Sequence, residues 1–190
     1  MNDLERALAA DLPVGAPPVL SGGDVRYREV ELPVGSMLLA TTPDGVLLAS
    51  TYAVHESADD VLARLARAVS PRVLRGGSGP DHVARELEAY LSGSRRAFDL
   101  EVDPVLATPF QRSVLAGLAA VPYGATASYG QLAASIGRPK ASRAVGAALG
   151  ANPLCVVLPC HRVVAGSGAL TGYAGGLEAK KFLLELEHRS

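Results

Sequence analysis

The charged side chains of this sequence divide sharply at Pro104, and that division constrains the architecture more than any other feature. Residues 105–190 carry eight lysines and arginines against three glutamates, a balance of +5, whereas the rest of the chain carries ten against sixteen, a balance of −6. A chain of 190 residues is long enough for two packed lobes, each with its own core. The local electrostatic field governs association more than the net charge of the chain does. The division therefore favours a protein that binds phosphates through one lobe. A chance asymmetry is the alternative.

Apolar spacing and turn residues predict an α/β (α+β) fold with three segments. Residues 1–23, rich in Pro, Gly and Ala, are predicted to be a loosely ordered leader. Residues 24–104 are predicted to form an N-terminal α/β domain, a small antiparallel sheet with helices, that carries no chemistry of its own. Its predicted strands are residues 25–32, 36–40 and 45–50, and its predicted helices follow the N-cap Ser57 and span residues 81–91.

Residues 105–190 are predicted to form a helical C-terminal domain. Thr108-Pro109 supplies an N-cap followed by proline at the first helical position. Residues 128–131 match the capping box S-x-x-Q, and Gly137 is a stop signal. With the short, small-residue helix predicted at 140–149, this pattern is typical of a helix-turn-helix. Small side chains permit close approach to a duplex, but they equally permit close packing between helices.

Composition excludes several classes of protein. Hydrophobic residues make up 48% and charged residues 19%, which indicates an ordinary folded chain. No stretch has membrane-spanning length and the N-terminus does not resemble a secretory signal, so we expect a cytoplasmic protein without a membrane partner. With only two cysteines, we expect neither a disulfide framework nor a zinc site, and no metal or other cofactor.

The two cysteines lie at the two ends of an apolar run. Residues 155–158 are predicted to be a buried strand, and Pro159 breaks the pattern immediately before Cys160. A thiol at a bend becomes a good nucleophile when a neighbour favours the thiolate, and His161 is the nearest base. Adjacent residues of an extended chain point to opposite sides, so contact requires a water molecule or the bend at Pro159. The alternative, a cysteine acting as a small apolar residue, fits Cys155 better.

These residues closely resemble the O6-alkylguanine-DNA alkyltransferase (methylated-DNA–protein-cysteine methyltransferase) family. The family signature Pro-Cys-His-Arg-Val is intact at residues 159–163, and the resemblance runs from Thr108 to about Glu187. Further matching segments are residues 121–124, 128–129, 139–146, 152–153, 168 and 172–176. The N-terminal domain matches only in its general plan.

The resemblance implies a DNA-repair enzyme that acts once per molecule. Cys160 would take the alkyl group from O6-alkylguanine, and by extension from O4-alkylthymine, irreversibly. His161 would remove the thiol proton through a water molecule, Glu187 would orient the histidine, and Asn152 would hold the active-site turn. Tyr129 would donate a proton toward N3 of guanine and help to rotate the nucleotide. A tyrosine at a helix start with a solvated hydroxyl is the simpler alternative.

The expected partner is double-stranded DNA, bound by a monomer through the minor groove with the damaged nucleotide flipped out. Arg143 matches the intercalating arginine of the family, although it could also be one more solvated helix charge. Arg138 and Lys140 are expected to contact phosphates. The expected DNA-binding set is Tyr129, Gly130, Arg138, Lys140, Ser142, Arg143 and Gly146.

For the flipped base, the family uses backbone groups near the cysteine and the loop that follows. Here these groups belong to Val163, Tyr173, Ala174 and Gly175. Ala174 stands where many relatives have a small hydroxyl residue or glycine, which puts the range of accepted alkyl groups in question. Leu115 replaces a tryptophan that is frequent in the family.

Three alternatives predict other functions. An alkyltransferase-like damage sensor lacks the acceptor cysteine, so Cys160 argues against it. A bifunctional regulator requires a further cysteine in an N-terminal domain, and residues 1–154 contain none. A cysteine hydrolase would leave the helix-turn-helix unexplained and lacks a recognisable oxyanion loop.

Overall fold

The computed structural model of the chain describes residues 24–189. The leader predicted at residues 1–23 lies outside the described residues. No helix in residues 24–189 combines the length and the apolar character needed to cross a bilayer.

The N-terminal lobe is built on a four-stranded sheet. Its strands are β1 (Val25–Leu32), β2 (Gly35–Thr41), β3 (Leu47–Tyr52) and β4 (Val73–Arg75), in the order β3-β2-β1-β4. The first three pair antiparallel, as predicted. The fourth strand was not predicted, and it pairs parallel with β1 because the chain reaches it through a helix.

Two helices cover this sheet. Helix α1 (Ala58–Ala68) begins at Ser57, whose hydroxyl accepts a hydrogen bond from the Asp60 amide at 3.2 Å, as the N-cap prediction requires. Helix α2 (Ser78–Leu91) begins three residues before the predicted start. Pro80 lies in its first turn, where the missing amide proton needs no intrahelical acceptor.

The C-terminal lobe has four helices. They are α3 (Pro109–Ala119), α4 (Tyr129–Ser135), α5 (Ser142–Gly150) and α6 (Gly176–Arg189). Reciprocal capping boxes start α3 at Thr108 and α4 at Ser128, which confirms both predicted N-termini. Gly137 adopts φ +71° in the turn between α4 and α5, a conformation that favours glycine. The helix-turn-helix thus forms as predicted, with its second helix starting two residues later than expected.

The segment that leads to Cys160 is not the predicted strand. Residues 155–158 form a tight turn in which Val156 has φ +71°, and only an isolated bridge joins Cys155 to Leu158. The strand prediction was wrong because an unbroken apolar run indicates burial but not backbone conformation. The turn rests against β3, where the Ser50 hydroxyl donates to the Cys155 carbonyl at 2.8 Å.

Beyond the turn, a 3-10 helix (Cys160–Arg162) leads into a short strand. That strand, β6 (Val163–Val164), pairs parallel with β5 (Ala127–Ser128), which runs directly into α4. Cys160 and the helix-turn-helix are therefore fixed to each other through this two-stranded contact.

One hydrophobic core spans both lobes. It joins Leu87 and Tyr90 of α2 to Leu115 and Leu118 of α3 and to the turn before Cys160. A smaller cluster fills the space between the sheet and α1. The continuous core allows side chains of the N-terminal lobe to support groups in the C-terminal lobe.

Candidate active site

Cys160 lies at a cavity of about 750 Å³ that opens beside the helix-turn-helix. Its side chain is buried, with 6% of the residue exposed. Six residues predicted to bind DNA or the base also line this cavity: Tyr129, Ser142, Arg143, Gly146, Tyr173 and Ala174. The structure thus brings the predicted nucleophile together with most of its predicted partners.

Asn152 organises the turn around the thiol. Its amide nitrogen donates to the Leu158 carbonyl at 3.1 Å and to Sγ of Cys160 at 3.3 Å. Its amide oxygen accepts from the Leu154 backbone at 2.9 Å. One side chain therefore closes the turn and contacts the sulfur.

The surroundings of Cys160 favour its thiolate. The adjacent Cys155 thiol, which also contacts the Asn152 carbonyl at 3.4 Å, makes the largest contribution and lowers the pKa of Cys160. Burial acts in the opposite direction, while the Asn152 amide and the positive charge of Lys180 lower the pKa of Cys160 further. The net pKa lies below that of an ordinary thiol, which suits a nucleophile.

His161 follows Cys160 in the 3-10 helix and is fully buried. Its Nε2 atom lies 2.5 Å from Oε1 of Glu187, so a carboxylate there requires the proton on Nε2. The Nδ1 atom has no hydrogen-bond partner within residues 24–189. Burial lowers the pKa of His161 although Glu187 opposes it, so the ring is neutral at physiological pH. A neutral ring with a free Nδ1 can act as a base.

Glu187 accepts hydrogen bonds from residues of both lobes. It accepts from the Gly124 amide at 2.9 Å, from Nε of Arg162 at 2.9 Å and from the Tyr90 hydroxyl. Burial raises the pKa of this carboxyl, but the hydrogen bond from His161, the charge of Arg162 and the hydrogen bond from Tyr90 outweigh it and lower the pKa to about 2. The permanent charge of Arg162 keeps the carboxylate ionised even though His161 is neutral.

Two buried cations of this site were not predicted. Arg162 donates from Nη1 to the Val121 carbonyl at 2.6 Å, in addition to its bond with Glu187. Lys180 has no exposed surface, and its ammonium donates to the carbonyls of Val163 at 2.6 Å and Thr171 at 3.0 Å. Arg162 could have been suspected from its place beside the nucleophile, whereas nothing in the pattern of α6 distinguishes Lys180.

Two tyrosines of the N-terminal lobe were also missed. Tyr90 of α2 donates to Glu187, and the hydroxyl of Tyr52 lies 3.1 Å from that of Tyr173. The expectation that this lobe carries no chemistry of its own therefore omitted two supports of the site. A side chain added at Gly175 would lie 2.6 Å from the Tyr52 ring, so only glycine fits there.

The predicted DNA-binding residues lie on the helix-turn-helix. Arg143 is exposed on α5 at the cavity, and Lys140 is exposed in the turn before that helix. Arg138 is also exposed and stacks over the Phe110 ring at 5.7 Å. Gly130 lies exposed in the first turn of α4. A Cβ at Gly146 would stand 3.6 Å from the Tyr129 ring, an ordinary contact distance.

Of the four predicted base-binding residues, two do not line the cavity. Gly175 packs against Tyr52, and Val163 is fully buried with its carbonyl bound to Lys180. Tyr173 and Ala174 both line it. No group of three His, Cys, Asp or Glu side chains suited to a metal ion occurs in residues 24–189.

Known proteins are similar to this chain in sequence and in fold. The family described as 6-O-methylguanine DNA methyltransferase, DNA binding domain, matches residues 109–189. A methylated-DNA–protein-cysteine methyltransferase of Mycolicibacterium paratuberculosis is 41% identical over 87% of this chain and 93% of that protein. One from Methanosarcina acetivorans is 52% identical over 55% of this chain and 66% of that protein. The crystal structure of Mycobacterium tuberculosis OGT in complex with DNA has a TM-score of 0.74 and 37% identity, covering 86% of this chain and 93% of that one.

The fold and the site define a class of DNA-binding proteins. In this class an α/β lobe supports a helix-turn-helix and a buried cysteine whose pKa is lowered. Within that class, the chain belongs to the methylated-DNA–protein-cysteine methyltransferase family.

Proposed function

We propose that the chain repairs double-stranded DNA by transferring the alkyl group of O6-alkylguanine, and of O4-alkylthymine, to Sγ of Cys160. Repair of DNA by alkyl transfer to a protein cysteine is the activity of its family. The observation that carries the assignment to Cys160 is the position of its activated sulfur at the cavity beside the helix-turn-helix. The acceptor belongs to the protein itself, so the reaction needs no cofactor.

Activation of the thiol uses the adjacent buried histidine. Nδ1 of His161 takes the proton of Cys160 through a water molecule, while Nε2 remains bound to Glu187. The imidazolium that forms is stabilised by the carboxylate, and Arg162 and Tyr90 hold that carboxylate in place. The same contacts explain why Glu187 is buried as an ion.

The transfer itself is a displacement at the alkyl carbon. The thiolate of Cys160 forms the new carbon–sulfur bond as the bond from that carbon to O6 of guanine breaks. The released electron pair stays on the base, and the Tyr129 hydroxyl supplies a proton to N3, so guanine leaves neutral. The resulting thioether is chemically stable, so each molecule acts once and the product is irreversible.

A base inside a duplex cannot reach a buried sulfur, so the damaged nucleotide must leave the stack. Helix α5 would lie in the minor groove, with Arg143 filling the vacated position and Ser142 and Gly146 facing the groove. Arg138, Lys140 and Gly130 would contact the backbone. Tyr173 and Ala174, which line the cavity, would contact the flipped base. We propose that the protein acts as a monomer in the cytoplasm.

The proposal is tested by titrating the protein with an excess of duplex DNA that contains O6-methylguanine and counting restored guanine. We expect restoration to stop at about one guanine per protein molecule. Cys160→Ser should restore none, whereas the matched control Cys155→Ser should reach the same end point as the native chain. Continued turnover, or restoration by Cys160→Ser, would contradict the assignment. Tight binding without restoration would indicate a damage sensor instead.

A further inference from the structure

We propose that Thr171 is a positioning residue for alkyl transfer, because its hydroxyl holds the hydroxyl of Tyr129. This inference rests on the proton-donor role given to Tyr129 in the proposed function. Neither the sequence patterns nor the chemistry of the proposed function assigns a role to the side chain of Thr171.

The two hydroxyls are in direct contact at the cavity. Oγ1 of Thr171 lies 2.9 Å from the hydroxyl oxygen of Tyr129, and both residues line the cavity that contains Cys160. No other hydrogen bond to the Tyr129 hydroxyl occurs within residues 24–189. A tyrosine ring can swing about its side-chain torsions, so one well-placed contact at its tip largely determines where the hydroxyl points.

The backbone of Thr171 is anchored from the opposite side. Its carbonyl accepts from the ammonium of Lys180 at 3.0 Å, and the same ammonium holds the Val163 carbonyl at 2.6 Å. Lys180 has no exposed surface, so this ion is held in place by the protein rather than by solvent. Thr171 is therefore fixed relative to the strand that follows the nucleophile, although residues 166–170 beside it are exposed.

The proton transfer proposed for Tyr129 determines the direction of the hydrogen bond between Tyr129 and Thr171. Tyr129 has one hydroxyl proton, and it can reach N3 of guanine only if Thr171 donates to Tyr129 rather than accepting from it. As the tyrosine proton moves to N3, negative charge develops on the phenol oxygen. A hydroxyl already donating to that oxygen forms a charge-assisted hydrogen bond there and stabilises the charge, while the proton of Thr171 stays on Thr171.

The matched pair Thr171→Val and Thr171→Ser separates the hydroxyl from the shape of the side chain. Valine keeps the branched shape without the donor, and serine keeps the donor. We expect Thr171→Val to slow single-turnover repair roughly tenfold with unchanged affinity for duplex DNA, and Thr171→Ser to restore most of the rate. Thr171→Ala serves the same purpose if the valine protein does not fold.

A double-mutant cycle with Tyr129→Phe distinguishes positioning from a general structural effect. If Thr171 acts through the Tyr129 hydroxyl, then Thr171→Val should cause no further loss of rate in the Tyr129→Phe background. Equal losses in both backgrounds would overturn the inference, and so would a native rate for Thr171→Val. If Tyr129→Phe itself repairs at the native rate, the proposed role of Tyr129 is what fails.

Discussion

Among single residues, Tyr90 connects the N-terminal lobe to the carboxylate of the site. Its hydroxyl reaches Glu187 across a sequence separation of 97 residues, from a helix of the other lobe. The contact is buried, so its loss leaves one acceptor position of the carboxylate without a donor.

Replacing this tyrosine tests whether the N-terminal lobe supports the arrangement of Cys160, His161 and Glu187. Tyr90→Phe removes one donor from Glu187 and keeps the ring that stacks on Phe98. We expect a loss of about 1 kcal/mol in the free energy of unfolding and a several-fold slower repair rate, measured by urea titration and single-turnover assay. A change in stability without a change in rate would mean that Tyr90 serves folding only.

The second cysteine gives a pH-dependent prediction. Because the Cys155 thiol lowers the pKa of Cys160, Cys155→Ala should raise that pKa and move the rising limb of the repair rate to higher pH. Cys155→Ser retains a hydroxyl donor and should shift it less. The measurement is the single-turnover rate from about pH 6 to about pH 9, a range that brackets the ordinary thiol pKa. Superimposable profiles for all three proteins would show that Cys155 only packs.

The roles of single residues were predictable from the sequence where they depend on neighbours in the chain. Cys160 and His161 are neighbours in a recognisable signature, and the structure places them at one site. Tyr90 and Lys180 could not be predicted, because their roles depend on contacts made only after distant segments meet. A buried lysine is also rare enough that sequence patterns favour a solvated one.

At the scale of elements, the proposed function assigns delivery of the base to helix α5 and the chemistry on the base to the residues around Cys160. Arg143 is exposed on this helix and acts in the proposed function only on the duplex, so Arg143→Ala should leave alkyl transfer from a free O6-alkylguanine base unchanged. Repair of duplex DNA should fall by at least about tenfold, because the flipped state loses its support.

The matched control for this helix is Lys140→Ala, in the turn before it. A phosphate contact contributes to affinity and its salt dependence, so this variant should bind more weakly yet repair at the native rate once saturated. Equal effects of the two substitutions on the saturated rate would contradict the separate role of Arg143.

Element boundaries were predictable where capping chemistry is local. Thr108 with Gln111 and Ser128 with Gln131 each satisfy their own helix end within four residues. The turn at residues 155–158 was not predictable, since its backbone is set by contacts with β3 and by Asn152. The parallel strand β4 was missed because three residues are too few to show a period.

At the scale of the molecule, the ionisation of Glu187 makes the free energy of unfolding depend on pH. The folded pKa of about 2 lies below the ordinary 4.5, so its contribution to stability is present above about pH 4.5 and is lost as pH falls toward 2. The buried, neutral His161, with its pKa lowered from 6.5, acts in the same direction below pH 6.5. Acid should therefore unfold the protein, with Glu187 contributing about 3 kcal/mol.

The measurement is the free energy of unfolding in urea at a series of pH values, for the native chain and for Glu187→Gln. The native curve should fall more steeply than the variant curve between about pH 5 and pH 2. Other carboxylates titrate in both proteins, so the difference between the two curves reports on Glu187. Parallel curves would show that the partners of Glu187 do not stabilise its ionised form in the folded protein.

The central claim is that Cys160 keeps the alkyl group taken from DNA. The most direct test supplies duplex DNA whose O6-methylguanine carries a deuterium-labelled methyl group, followed by digestion and mass spectrometry of the protein. We expect one labelled methyl group per molecule, on the peptide that contains Cys160, and on that sulfur rather than on Cys155. Label on another residue, or unlabelled protein together with restored guanine, would contradict it.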